Sequence, residues 1–113
     1  MKKRYVITSF DSVVYINAGT DAELMCRSDH DFLPESIVIP ERITPYFLIT
    51  SFVIGKTSQF VGNCIHTDVF SSKHKPKKFL FSPAKAHQKM TLRVTNPTPH
   101  PVRFHASVIG RVI

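Results

Sequence analysis

Apolar residues recur along this chain at a spacing of two, in short runs broken by turn residues. Met90, Leu92 and Val94 alternate with Thr91, Arg93 and Thr95. Val102, Phe104, Ala106 and Val108 alternate with Arg103, His105, Ser107 and Ile109. Ala22, Leu24 and Cys26 do the same against Glu23, Met25 and Arg27. That period puts one set of side chains on a core face and the other toward water, so each run predicts a half-buried strand. Val13-Val14-Tyr15-Ile16 is β-branched and aromatic and predicts a strand ending at Asn17-Ala18-Gly19-Thr20. Ser36-Ile37-Val38-Ile39 reads as a strand fenced by Pro34 and Pro40, which cannot extend a ladder.

Tyr46 to Ile54 is the longest apolar stretch and predicts a central strand buried on both faces. Phe79-Leu80-Phe81 predicts a further short strand closed by Ser82-Pro83. Gly55-Lys56 and Gly62-Asn63 mark turns, and Gly110 marks a bulge or kink. Asn96-Pro97-Thr98-Pro99-His100-Pro101 cannot be regular structure, because three prolines remove donors and fix the backbone. No segment sustains a helical period over three turns. About eight or nine strands, with turns at the spacing of sandwiches and barrels, predict an all-β fold. The expectation is one antiparallel β-sandwich over residues 1–113, jelly-roll-like, with little or no helix.

Composition agrees with one domain and one modest core. The 113 residues include nine Phe, three Tyr and no Trp. Charge changes the picture more. The formal net charge is +7, and seven of the eight acidic residues lie within the first 41 positions. After Glu41 only Asp68 remains, against eleven Lys and Arg. Such a surface favours anionic partners and leaves little material for acid–base chemistry in the later two-thirds. The densest basic segment holds Lys73, Lys75, Lys77 and Lys78, and Lys85 and Lys89 extend it along the chain. These lysines are candidates for contact with nucleic acid regardless of its sequence. An ordinary solvated loop explains them equally well, and no exposed aromatics interleave with them as in single-strand binders. Met1-Lys2-Lys3-Arg4 reads as a short basic arm. Tyr5 to Phe10 is too short for a secretory apolar segment and is cut off by Asp11. No run approaches the roughly 20 apolar residues of a membrane-spanning helix.

No catalytic or metal constellation emerges. His30 lies between Asp29 and Asp31, and His66 and Asp68 share one strand face, but two ligands are too few to hold a metal. Gly55-Lys56-Thr57-Ser58 lacks the upstream glycine of a phosphate loop, since position 50 is Thr50. The expectation is no enzyme and no cofactor. Cys26 and Cys64 read as two small buried hydrophobes, with a disulfide left open as the alternative. Two proline-framed segments, Pro34 to Pro45 and Pro97 to Pro101 with Pro99 between, offer rigid loops. Rigid loops serve subunit contact or guard strand edges equally well. The apolar Val112-Ile113 belongs in a sheet or against a neighbour.

Three segments carry a likeness in style to a known class. They are Leu33 to Pro40, Tyr46 to Phe60 with its Gly55-Lys56-Thr57-Ser58-Gln59-Phe60, and Leu92 to Asn96 with Val102 to Gly110. Together they resemble small phage or viral structural proteins built on a jelly-roll-like sandwich. The resemblance implies a non-enzymatic virion component, assembled in the host cytoplasm: a coat, minor capsid or decoration subunit. Its partners would be further copies or other capsid subunits. The charge split adds the expectation that the acidic first third meets the basic remainder of an adjacent copy. The alternative is a nucleic-acid-binding β-barrel of the OB type that clamps with Lys73 to Lys78. A third reading, a small secreted inhibitor or host-interaction domain, would gain from a Cys26–Cys64 disulfide.

Overall fold

The computed structural model describes residues 5–60, 64–73 and 78–113. Eight strands form: β1 (Tyr5–Asp11), β2 (Asp21–Cys26), β3 (Phe32–Val38), β4 (Leu48–Ile54), β5 (Thr57–Ser58), β6 (Ile65–His66), β7 (Met90–Thr95) and β8 (His105–Val112). Short 3-10 helices span Glu41–Tyr46 and Thr67–Phe70. One sheet has the order β1-β8-β3; the other has β2-β7-β4-β5, with β6 also pairing β4. The ladders within both sheets are antiparallel. The fold is the expected all-β sandwich.

The strand order has a simple origin. Fold the chain into a long hairpin, with β1–β4 as one arm and β5–β8 as the other. Then β1 meets β8, β2 meets β7 and β4 meets β5. Winding that hairpin into two layers gives a jelly roll. The remaining pairing of such a hairpin, β3 with β6, is replaced. The short β6 adds to β4 through Leu48↔His66 and Ile49↔Ile65. Irregular chain at residues 70–72 and 79–84 covers β3 instead. Ile39 donates to the Phe70 carbonyl at 2.8 Å, and Phe79 donates to the Glu35 carbonyl at 2.8 Å. Phe32 and Ala84 exchange bonds at 2.9 and 2.8 Å.

Period-two patterning supplies the core. Met90, Leu92 and Val94 of β7, and Ala106 and Val108 of β8, are buried as their alternation predicted. Phe10, Phe32, Phe47, Phe52 and Phe104 are fully buried. Phe52 meets Phe10 edge-on at 6.1 Å and Phe81 at 5.3 Å, and Phe47 meets Phe104 at 5.0 Å. Each buried Phe contributes about 2–3 kcal/mol of transfer free energy, and the edge-to-face geometry adds to that. Gly110 of β8 is required by crowding, because a Cβ there would run into the Leu33 carbonyl and the Phe32 ring. The irregularity expected near Gly110 lies in its partner, where β3 shifts register between Pro34 and Ser36.

Several elements differ from expectation. Val13 to Tyr15 form no strand; the strand lies earlier, at Tyr5–Asp11, and only Ile16 makes a bridge, to Val102. Asp11 ends β1 by accepting from the Val13 backbone at 2.7 Å, which turns the chain there. Pro34 does not fence β3 but lies within it. An edge strand tolerates that, since the missing donor interrupts no ladder between two neighbours. The nine-residue strand shortens to Leu48–Ile54 because Tyr46 closes a 3-10 helix. Leu48, Thr50, Ser51 and Val53 are only partly buried, so the other face of β4 is not a second core. Phe79-Leu80-Phe81 is irregular, with Phe81 buried, Phe79 packed against the core and Leu80 fully exposed. The expected Gly62-Asn63 turn lies outside the described residues.

Candidate interaction surfaces

The charge split closes within one chain. Glu23 pairs with Arg93 at 2.7 Å across β2 and β7. Glu35 pairs with Arg111 at 3.0 Å, and Asp11 lies 3.7 Å from Arg103. Asp21 accepts from the Thr95 hydroxyl at 2.7 Å, and Asp31 accepts from the Ala86 backbone at 2.7 Å. The acids lie on the first arm of the wound hairpin and the bases on the second, so strand pairing brings them together. These contacts are half-exposed, apart from the mostly buried Glu35, and each is worth under about 1 kcal/mol at the surface. Five of the seven early acids, Asp11, Asp21, Glu23, Asp31 and Glu35, thus have a partner in their own chain, with which an adjacent copy's basic region would compete.

The lysines do not gather. Lys73, Lys78, Lys85 and Lys89 are exposed, while Lys75 and Lys77, like Met1 to Arg4, lie outside the described residues. Ser72 donates to the Ile39 carbonyl, Phe79 to that of Glu35, and Ala84 to that of Phe32. Their neighbours Lys73, Lys78 and Lys85 are therefore strung along the outer edge of β3. Its seven residues span roughly 20 Å at the usual rise per residue. Lys89 stands apart beside the Gly55 turn, where Gly55 donates to its carbonyl at 2.8 Å. Lys85 and Lys89 do not extend the Lys73–Lys78 loop into one clamp.

Pro97, Pro99 and Pro101 are exposed, whereas Pro34 is buried within its own chain and leaves the set of contact candidates. Pro45 falls in the first 3-10 helix and so frames no loop end. Val112 ends β8 and pairs with Phe32, yet is 41% exposed, and Ile113 is 66% exposed.

Among the described residues no group of three His, Cys, Asp or Glu side chains could hold a metal ion. His66 ends β6, and its Nδ1 accepts from the Asp68 backbone at 3.4 Å, so the pair caps a 3-10 helix rather than sharing a strand face. Both cysteines are free. Cys64 is exposed, contrary to the expectation of a buried hydrophobe, while Cys26 is partly buried. Burial pushes the Cys26 thiol up, against a smaller opposing hydrogen bond with the Thr8 side chain. A thiol held protonated in this way is a poor nucleophile. Among the described residues no helix is long and apolar enough to cross a membrane.

The structure adds one surface that period-two reading missed. Tyr5, Ile7, Val13, Val14 and Tyr15 are each between 62% and 70% exposed. Tyr5 and Ile7 project from the outward side of β1, whose inward residues Val6 and Phe10 are buried. The turn after β1 then holds three more apolar side chains in water. The Ser12 hydroxyl donates to the Val14 carbonyl at 2.7 Å, and Val14 donates to the Ser12 carbonyl at 2.6 Å. Val13 sits at φ 63°, in the left-handed region that β-branched residues avoid. A second missed residue is Asn96, fully buried beside that turn. Its Nδ2 donates to the carbonyls of Ile16 at 2.9 Å and His100 at 2.8 Å. Its Oδ1 accepts from the Thr98 backbone at 3.0 Å and hydroxyl at 2.7 Å.

No family model, no curated protein and no solved structure matches this chain.

Proposed function

We propose that this protein is a non-catalytic building block that acts by self-association, as a coat, minor capsid or decoration subunit of a virus-like particle. One observation carries the reading: five large apolar side chains stand in water along β1 and the turn that follows it. Scattered surface apolars are ordinary, but a run within eleven consecutive residues marks a contact surface. A turn that keeps a valine at positive φ to present that run is built, not incidental. The jelly-roll winding supports the class, because viral shells use that architecture; lectins and cupins use it too, so the argument by fold is an analogy. The free lysines along β3 suit an anionic lining or neighbour inside such a particle.

Sedimentation of the purified protein over a wide concentration range, after nuclease treatment, tests this. The expected result is a reversible rise to discrete larger species, visible as regular particles by electron microscopy. The double variant Val14→Asp, Tyr15→Asp should weaken association at least about tenfold, the equivalent of about 1.4 kcal/mol. A monomer at every concentration overturns the reading. Steeply salt-dependent oligonucleotide binding, lost in Lys75→Glu with Lys77→Glu, would favour the nucleic-acid-binding barrel.

A further inference from the structure

Sheet edges in a sandwich are normally guarded by prolines, charges, bulges, brevity or covering chain. Three edges here follow that rule. β3 contains Pro34 and a register shift, and residues 72, 79 and 84 hydrogen-bond along its outer side. β5 and β6 are two residues each. β2 carries Asp21 and Glu23 on its exposed side, charged side chains that a pairing strand would have to strip of water.

β1 is different. It is a seven-residue edge strand that contains no Pro, Lys, Arg or Glu. Its one charge is Asp11 at the very end, already engaged by Arg103 and by the Val13 backbone. Among the described residues its backbone pairs with β8 alone. On its inward side Thr8 faces Cys26 of β2, while on its outward side Tyr5 and Ile7 stand exposed.

We infer that two copies of this chain join β1 to β1, antiparallel across a two-fold axis centred on Ile7. The two three-stranded sheets become one six-stranded sheet. This inference rests on the self-association proposed above and specifies its first contact. A second copy is the fitting occupant because an antiparallel strand edge is complementary to itself. Strand overlap and side-chain pairing together select the register, since centring on Val6 would overlap only residues 5–7 of β1. Centred on Ile7, the pairs are Ile7 with Ile7 and Tyr5 with Ser9. Centred on Thr8, Ile7 would lie against Ser9 and Tyr5 against Asp11. Apolar and aromatic cross-strand pairs favour the first.

Cysteine cross-linking tests this in the full chain with Cys26→Ser and Cys64→Ser. Directly opposed residues approach to about 4.5–5.5 Å between Cα atoms, within disulfide reach. Ile7→Cys should give a covalent dimer under mild oxidation, and Met25→Cys, on the outward side of β2, should not. In the otherwise native chain, Ile7→Lys should weaken association at least about tenfold and leave the unfolding midpoint nearly unchanged, because the side chain touches no core. Ile7→Cys cross-linking no faster than Met25→Cys, with association intact in Ile7→Lys, would overturn the β1 pairing and leave self-association standing. A wild-type chain that never associates removes both.

Discussion

Two connections lie against each other at one end of the sandwich, joined where Ile16 bridges Val102. Both consist of short segments tied to distant backbone by side-chain hydrogen bonds, yet they present different side chains to water. Around Asn96, a buried amide gathers carbonyls from residues 80 and 4 positions away and accepts from Thr98. That loop turns its polar groups inward, anchors the chain to the core and leaves three prolines outside. Around Ser12, two bonds with the Phe104 backbone hold the turn to the core, local bonds shape the rest, and the turn points Val13, Val14 and Tyr15 into water. A connection needed only to cross between sheets would place polar residues there. If self-association as proposed is right, the difference separates a loop that serves folding alone from one that also serves contact.

The largest test of that comparison is Asn96→Ala. The substitution removes four hydrogen bonds: the Ile16 carbonyl keeps the Val102 donor and the His100 carbonyl keeps the Thr98 hydroxyl, while the Thr98 backbone loses its acceptor. Each buried group left unpaired costs about 1–3 kcal/mol, so a total loss of roughly 2–4 kcal/mol is expected after partial relaxation. Urea unfolding measures it. A loss well under 1 kcal/mol would mean that the loop is not the anchor its hydrogen bonds indicate.

How far such features could be read from sequence depends on the range of the forces that set them. The strands at Met90–Thr95 and His105–Val112 were legible because alternation is a local signal and both faces obey it. The number of strands and the sandwich followed from the same period. Val13–Ile16 is the more apolar segment, four residues of four against four of seven in Tyr5–Asp11, and only the pairing of β1 with β8, a hundred residues away, places the strand in the earlier one. Asp11 and Ser12 then lock the turn that excludes the second segment. Pro34 was misplaced for a related reason: whether a strand tolerates proline depends on its position at an edge, which is a property of the sheet. Asn96 before Pro97 announces a turn, but its burial depends on Ile16. Lys73, Lys78 and Lys85 are close in sequence, whereas the covering chain spreads them along β3. Five of the seven early acids meet partners of their own chain once the hairpin arms pair.

A smaller effect, of opposite sign, is expected at Val13. Its left-handed backbone costs a β-branched residue about 1–2 kcal/mol, while Asn adopts that conformation far more readily. Val13→Asn should therefore raise stability by about 1 kcal/mol and weaken self-association at the same time. Thermal unfolding and sedimentation on the same sample check both halves. A variant that gains stability and associates as before would show that the strain serves no contact. One that loses stability would show that the valine is supported by packing from its own chain.

The smallest expected change in stability sharpens the comparison within a single turn. Val14 is 67% exposed, and Ile16, two residues later, is 5% exposed. If the turn presents one and buries the other, their substitutions must diverge. Ile16→Ala removes buried methyl groups beside Val102 and should cost about 2–4 kcal/mol. Val14→Asp places a charge where water already reaches, so its unfolding free energy should stay within about 0.5 kcal/mol of the parent. The same variant should nonetheless fall behind the parent in sedimentation, because a carboxylate in an apolar contact has no partner there. Stability unchanged with association lost is the signature of a surface that works only between molecules. If Val14→Asp instead destabilises the monomer as much as Ile16→Ala, the turn belongs to the core, and the apolar run along β1 ends at Ile7.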